Sequence, residues 1–214
     1  MNKRLPVNPN IKVIQASEYE GLPLLNMAMS QNYLERIRIT IEKALAEHPR
    51  TLALRFDLRI PLWMGELDTA LISRFLASLK AQIEADQKRR TRIGKRAFSC
   101  TVRHIWAREQ STSHHWHYHV IILLNEDAYY YLGDVDAIEG NMAARINKAW
   151  ASALGLDILQ VDGLVEFIAE FHLDGNDPWV CSQIWPLFEC ASYLAKVVTK
   201  QYGDGTKNFS CSNI

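Results

Sequence analysis

The chain lacks any long apolar run. Its longest uninterrupted aliphatic stretch, residues 120–124, is five residues, against the roughly 20 that a bilayer-spanning helix requires. The opening MNKRLPVNPN has no apolar signal segment either, so a cytoplasmic protein without a membrane partner is expected. Cysteines are few: Cys100, Cys181, Cys190 and Cys211, none in C-x-x-C spacing. That argues against a zinc ribbon or a disulfide framework and predicts four ordinary buried thiols in a reducing compartment. No internal repeat, low-complexity tract or Gly/Ser linker is present, which argues against beads on a string. Net charge is missing too, with 24 Lys and Arg against 24 Asp and Glu.

That balance conceals an asymmetry. Residues 1–106 carry 18 basic and 10 acidic side chains, residues 107–214 carry 6 and 14, so the halves stand at +8 and −8. The densest basic stretch is Lys88, Arg89, Arg90, Arg92, Lys95 and Arg96. Such a cluster can follow a phosphate backbone by neutralising charge and releasing counterions, or it can be an ordinary solvated helix end. At 214 residues and 48% hydrophobic composition, the chain can build one full core but not two.

Residues 1–30 hold turn signals and little periodicity, and are read as an arm packing across a single α+β domain at 31–214. Leu34, Ile37, Ile41 and Leu45 form one stripe, predicting a helix over 31–47 that Pro49 ends. Alternation of Leu52, Leu54, Phe56, Leu58 and Ile60 predicts a half-buried strand over 51–60. A helix capped by Asp68 follows to about residue 90, delivering the basic cluster to its far end. Residues 98–108 and 115–124 read as a hairpin, 141–154 as a helix, 163–171 as a strand and 188–202 as a helix. The order βαββαβα predicts an antiparallel sheet with helices packed on one face.

Two segments carry chemistry. Residues two apart on a strand project from the same face, so His117 and His119 can grip one ion through neutral imidazole nitrogens, with His115 extending the row. Across a hairpin, Glu109 can return a carboxylate oxygen. Two imidazoles and a carboxylate suit Mn²⁺ or Mg²⁺, and do not exclude zinc. In the second segment, SYLAKVVTK, a helix at about 100° per residue would bring Lys196 within roughly 60° and Lys200 within roughly 20° of Tyr193. A phenol, with an unperturbed pKa near 10, is a better nucleophile toward phosphorus beside cations that favour its phenolate. Trp106, Trp116 and Tyr118 are candidates for stacking on bases.

An aliphatic strand, then a His-x-His strand, then a Y-x-x-K helix is the pattern of the HUH endonucleases, which this sequence resembles. It resembles more closely the YagK/YfjJ family of prophage proteins, the inovirus gene-two-product group, through RTLALRFDLRIP, REQSTSHHWHYHVIILLNEDAYYYLG and SYLAKVVTK. The resemblance implies the HUH-nuclease, RRM- or ferredoxin-like architecture and a replication-initiator role for a phage, prophage or satellite element. Its implied metal ligands are His117, His119 and Glu109, with Tyr193 as nucleophile and Lys196 as the cation one turn later. Its implied partners are single-stranded DNA or an origin hairpin, host replication proteins, and a second copy of the chain. Tyr118 stands where the pattern carries an aliphatic residue, on the side facing away from the ion. Position 197 is Val, and Tyr202 would sit about 180° around the helix, so a single-tyrosine mechanism is implied. The rivals are a catalytically silent DNA-binding or regulatory protein, and a metal-dependent hydrolase of small phosphoesters.

Overall fold

The computed structural model describes residues 3–64, 68–110, 116–203 and 205–212. Its centre is a five-stranded antiparallel sheet built from β1 (Arg50–Arg59), β2 (Arg103–Gln110), β3 (Trp116–Asn125), β4 (Val165–Asp174) and β5 (Phe209–Cys211), in the order β5-β2-β3-β1-β4. Four helices pack on it: α1 (Gln31–Glu47), α2 (Leu71–Arg92), α3 (Met142–Leu154) and α4 (Val180–Ser192). The class is α+β, as the element order predicts.

The layering differs from the prediction, because helices cover both faces of the sheet. Leu52, Leu54, Phe56 and Leu58 of β1 join α2 and α3 in one core, while Ala53 joins α1 and α4 in another. On β3, Val120, Ile122 and Leu124 serve the first core and Ile121 and Leu123 the second. An unbroken aliphatic run is what a strand buried on both faces needs. Each such side chain taken out of water contributes about 1.5–3 kcal/mol, so the strand beneath the candidate site is among the most firmly held parts of the fold. Among the described helices, none is long and apolar enough to cross a membrane.

The first helix has the predicted bounds, with the Ser30 hydroxyl accepting from the Tyr33 amide as its cap. Asp68 accepts from the Ala70 amide at 2.8 Å, just ahead of α2. The N-terminal segment read as an arm carries strands: Lys3–Leu5, Asn8–Ile14 and Met29–Ser30 form a small antiparallel sheet. It also contributes core, for Leu24 and Met29 are buried with α1 and α4.

The last predicted helix is displaced. Rather than running over 188–202, α4 ends at Ser192, Tyr193–Ala195 form one 3-10 turn, and Lys196 turns to an extended conformation with ψ 146°. Two causes act together. Val197, Val198 and Thr199 are β-branched and lose rotamer freedom in a helix. Lys196 also bridges Met29 in antiparallel fashion, and the Val197 amide donates to the Ala28 carbonyl at 3.1 Å. The four cysteines are free, but only Cys211 is fully buried and Cys181 is exposed, against the expectation of four buried thiols.

Candidate active site

Three neighbouring strands bring charged side chains onto the sheet face covered by α1 and α4. The β2–β3 register sets Glu109 opposite His117, and the β1–β3 register sets Asp57 opposite His119. His115 and the rest of residues 111–115 lie outside the described residues.

His119 is the hub. Its Nε2 lies 3.1 Å from Nε2 of His117 and 3.3 Å from Oε2 of Glu109, while its Nδ1 lies 2.8 Å from Oδ1 of Asp57. Arg55 backs the arrangement, 5% exposed, with its guanidinium on Asp57 and 2.9 Å from Nδ1 of His119. Burial works to raise the Asp57 carboxyl, but the hydrogen bond from His119 and the charge of Arg55 outweigh it and hold it below the usual carboxylate range. Asp57 thus remains anionic beside Nδ1 of His119, which it shares with the Arg55 guanidinium, while Nε2 of the same ring faces Glu109.

One donor atom each from Glu109, His117 and His119 falls within 4.8 Å of the others. Taken pairwise, the 3.1 and 3.3 Å spacings around Nε2 of His119 are those of neighbouring donors about 2.1 Å from an ion. Two imidazole nitrogens and one carboxylate oxygen, with the remaining positions open, suit Mn²⁺, Mg²⁺ or Zn²⁺. The donor set therefore fits a divalent cation.

Glu109 is 1% exposed and both of its oxygens are engaged. Oε1 accepts from Lys200 at 3.0 Å; Oε2 accepts from Thr199 at 2.6 Å and pairs with Lys196 at 2.7 Å. Burial alone would raise this carboxyl, but His119 and the two lysines carry it far below the ordinary range. Burial likewise pushes Lys200 down to about 8, opposed by Glu109.

Tyr193 closes the site from the 3-10 turn after α4. Its ring stands edge-on to His119, with centroids 5.1 Å apart. Lys196 donates to the Tyr193 hydroxyl and lies over its ring, 3.7 Å from the centroid. The structure therefore brings together Glu109, His117, His119, Tyr193, Lys196 and Lys200, although a shared helix face is not what unites the last three. Asp57, Arg55 and Thr199 escaped the sequence reading. A signal for the first two was present: Arg55 and Asp57 alternate with the apolar Leu54, Phe56 and Leu58 of the strand's other face.

The basic cluster is not brought to the site. Lys88, Arg89, Arg90 and Arg92 end α2, and Lys95 and Arg96 follow it, on the opposite face of the sheet. That end of α2 reaches the C-terminal end of β3, since Gln87 bonds Phe98 and Asn125 bonds Ser99, whereas the histidines sit near the N-terminal end of that strand. Part of its charge is also spent internally, Lys88 on Glu84, and Arg89 and Arg90 on Asp86. Trp106 and Tyr118 are 7% and 1% exposed in the α2/α3 core and edge-packed on each other, so neither offers a stacking surface. Tyr118 does point away from the two histidines. Trp116 is half-buried, with the Arg108 guanidinium 4.3 Å over its ring. Tyr202 lies in no helix.

No solved structure matches the chain. It is 39% identical to the uncharacterized protein YagK of Escherichia coli (strain K12) over 178 residues, covering 78% of this chain and 85% of that one. It is 34% identical to the uncharacterized protein YfjJ of the same organism over 193 residues, covering 84% and 93%. The model of the YagK/YfjJ C-terminal domain matches residues 16–212, a span that takes in the whole central sheet and every residue of the site, and the chain accordingly belongs to the YagK/YfjJ family.

Proposed function

We propose that this chain is a metal-dependent endonuclease and strand transferase of the HUH type, which cuts and rejoins single-stranded DNA through Tyr193. One contact carries the reading: the Lys196 ammonium bonds to the Tyr193 hydroxyl and to the Glu109 carboxylate at once, so a phenol stands one ammonium away from a three-donor cation site. The setting, rolling-circle-type replication of a phage, prophage or satellite element, comes from the motif resemblance alone.

On this reading His117, His119 and Glu109 hold a divalent ion, Mn²⁺ or Mg²⁺, whose contribution is to polarise a phosphate oxygen and offset charge building at phosphorus. Asp57 and Arg55 hold Nδ1 of His119, and so keep Nε2 aimed inward. The Tyr193 oxygen attacks phosphorus in line and the bond from phosphorus to the 3′ oxygen breaks. The phenol proton ends on the departing 3′ oxygen, leaving a 5′-phosphotyrosine and a free 3′ hydroxyl. Lys196, donating to the phenol oxygen, stabilises the negative charge there as the proton leaves. Because one phosphate diester replaces another, a returning 3′ hydroxyl can rejoin the strand.

A specific observation favours one alternative. Both oxygens of Glu109 are taken by protein donors, as in a structural ion-pair network of a DNA-binding or regulatory protein without turnover. A denaturing gel of protein incubated with Mn²⁺ and single-stranded DNA from its own genetic neighbourhood separates the two. The nuclease reading expects a slower protein–DNA band that Tyr193→Phe abolishes and that His117→Ala with His119→Ala suppresses. A band undiminished in Tyr193→Phe removes Tyr193 from the mechanism. DNA binding with no band and no Mn²⁺ affinity selects the alternative.

A further inference from the structure

A carboxylate oxygen offers two lone pairs in its plane. On Oε2 of Glu109 they are already directed at the Thr199 hydroxyl, 2.6 Å away, and at the Lys196 ammonium, 2.7 Å away. An ion seated against Oε2 and the two Nε2 atoms must take one of them. The three donors around Glu109 are not equally able to yield.

Lys200 has a fully buried side chain, and it also donates to the Lys196 carbonyl at 2.7 Å. It sits on Oε1, away from His119. Thr199 is a short side chain fixed by its backbone, whose carbonyl accepts from the Gln110 amide. Lys196 differs on both counts. Its side chain is 12% exposed, and it has a second acceptor already in hand, the Tyr193 oxygen. Like charges also separate: a divalent ion and an ammonium sharing one oxygen repel each other strongly in so dry a place.

We infer that Lys196 is an internal cation which a divalent metal displaces from Glu109, and that the displacement transfers the ammonium wholly to the Tyr193 oxygen and to a phosphate lying against it. Metal occupancy and the placement of the lysine beside the nucleophile are then coupled through a single carboxylate oxygen. Without metal, Lys196 satisfies Oε2 of Glu109 while Lys200 holds Oε1, so that neither oxygen of the buried carboxylate lacks a cation. With metal, the ion assumes that task. The inference rests on the metal site of the proposed function, but it makes a separate demand on it: the lysine must compete with the ion rather than assist it.

The test is calorimetric titration of Mn²⁺ into the full chain, comparing wild type with Lys196→Met and, as a second variant of smaller volume, Lys196→Ala. Both are expected to bind Mn²⁺ about tenfold more tightly than wild type, with binding still lost in His117→Ala plus His119→Ala. In wild type, titration with diamagnetic Mg²⁺ should also shift the Tyr193 ring signals in an NMR spectrum, assigned by their absence in Tyr193→Phe. Lysine variants that bind Mn²⁺ equally or more weakly overturn the inference while leaving the metal site intact. If neither lysine variant folds, unmoved Tyr193 signals in wild type overturn it. A wild type with no Mn²⁺ affinity removes the metal reading, and the inference with it.

Discussion

The imidazole of His119 stands edge-on to the phenol ring of Tyr193, centroids 5.1 Å apart at an interplanar angle of 80°. One residue lies in the middle of a sheet and the other on the turn closing the last helix, far later in the chain. The contact means that an ion held by His119 and a phosphate attacked by Tyr193 would occupy one cleft, and that changes behind the ring should be felt at the ion.

Asp57→Asn is the most direct change behind the ring. The amide retains the shape but loses the charge that holds Nδ1 of His119, 2.8 Å away. Outer-shell partners of this kind are worth about 10–100-fold in metal affinity. Calorimetry with Mn²⁺ is expected to show a loss in that range; affinity equal to wild type would mean that Asp57 does not orient the ligand.

Lys200 and Glu109 form an ion pair with side chains 0% and 1% exposed. Lys200→Met removes one partner and leaves the carboxylate leaning on Lys196 and Thr199, a loss on the order of 3 kcal/mol in urea unfolding. Glu109→Gln combined with Lys200→Met should recover part of it, because the stranded charge is gone. Strictly additive losses in the double-mutant cycle would show that the two side chains are not coupled.

His104 sets a pH dependence away from the site. Burial, then the charge of Lys80, pushes its pKa down to about 4 from an ordinary 6.5. As pH falls through that window the unfolded chain takes up the proton first, so the contribution is complete above about 6.5 and is lost on the way to about 4. Its size is on the order of 3 kcal/mol at most. Unfolding free energies measured across the window should fall less steeply for His104→Gln than for wild type, and parallel curves would refute the assignment.

The basic cluster gives a test of where DNA runs. If single-stranded DNA is held only at the site face, replacing Lys95 and Arg96, which extend beyond the end of α2 on the far face, with Ala should leave the salt dependence of binding unchanged. If the strand also runs over the far face, the slope of log affinity against log salt should shrink by about 0.7 for each phosphate that is no longer neutralised.

Much of the site is legible in the sequence because it is local. A two-residue spacing on a strand puts His117 and His119 on one face whatever surrounds them, and the short connection between β2 and β3 brings Glu109 opposite His117. The bounds of α1 follow from its stripe, its serine cap and Pro49, all within one stretch of chain. Tyr193, Lys196 and Lys200 are also found together at the site, but the helix expected to unite them ends at the tyrosine.

Other features depend on residues far apart in the chain, and periodicity does not encode which of them meet. Asp57 becomes the partner of His119 only because β1 pairs with β3 in one register. The last helix stops where it does because the backbone near Lys196 is taken by Ala28 and Met29 from the opposite end of the protein. The basic cluster is remote from the histidines because α2 covers one face of the sheet and the site opens on the other. Side-chain type and short spacing, properties of neighbouring residues, were determined by the sequence by itself: two imidazoles and a carboxylate able to share an ion. Which acid steadies the ring, which backbone ends the helix and which face carries the charge were decided by tertiary structure alone, since each is a competition between distant partners that only packing resolves.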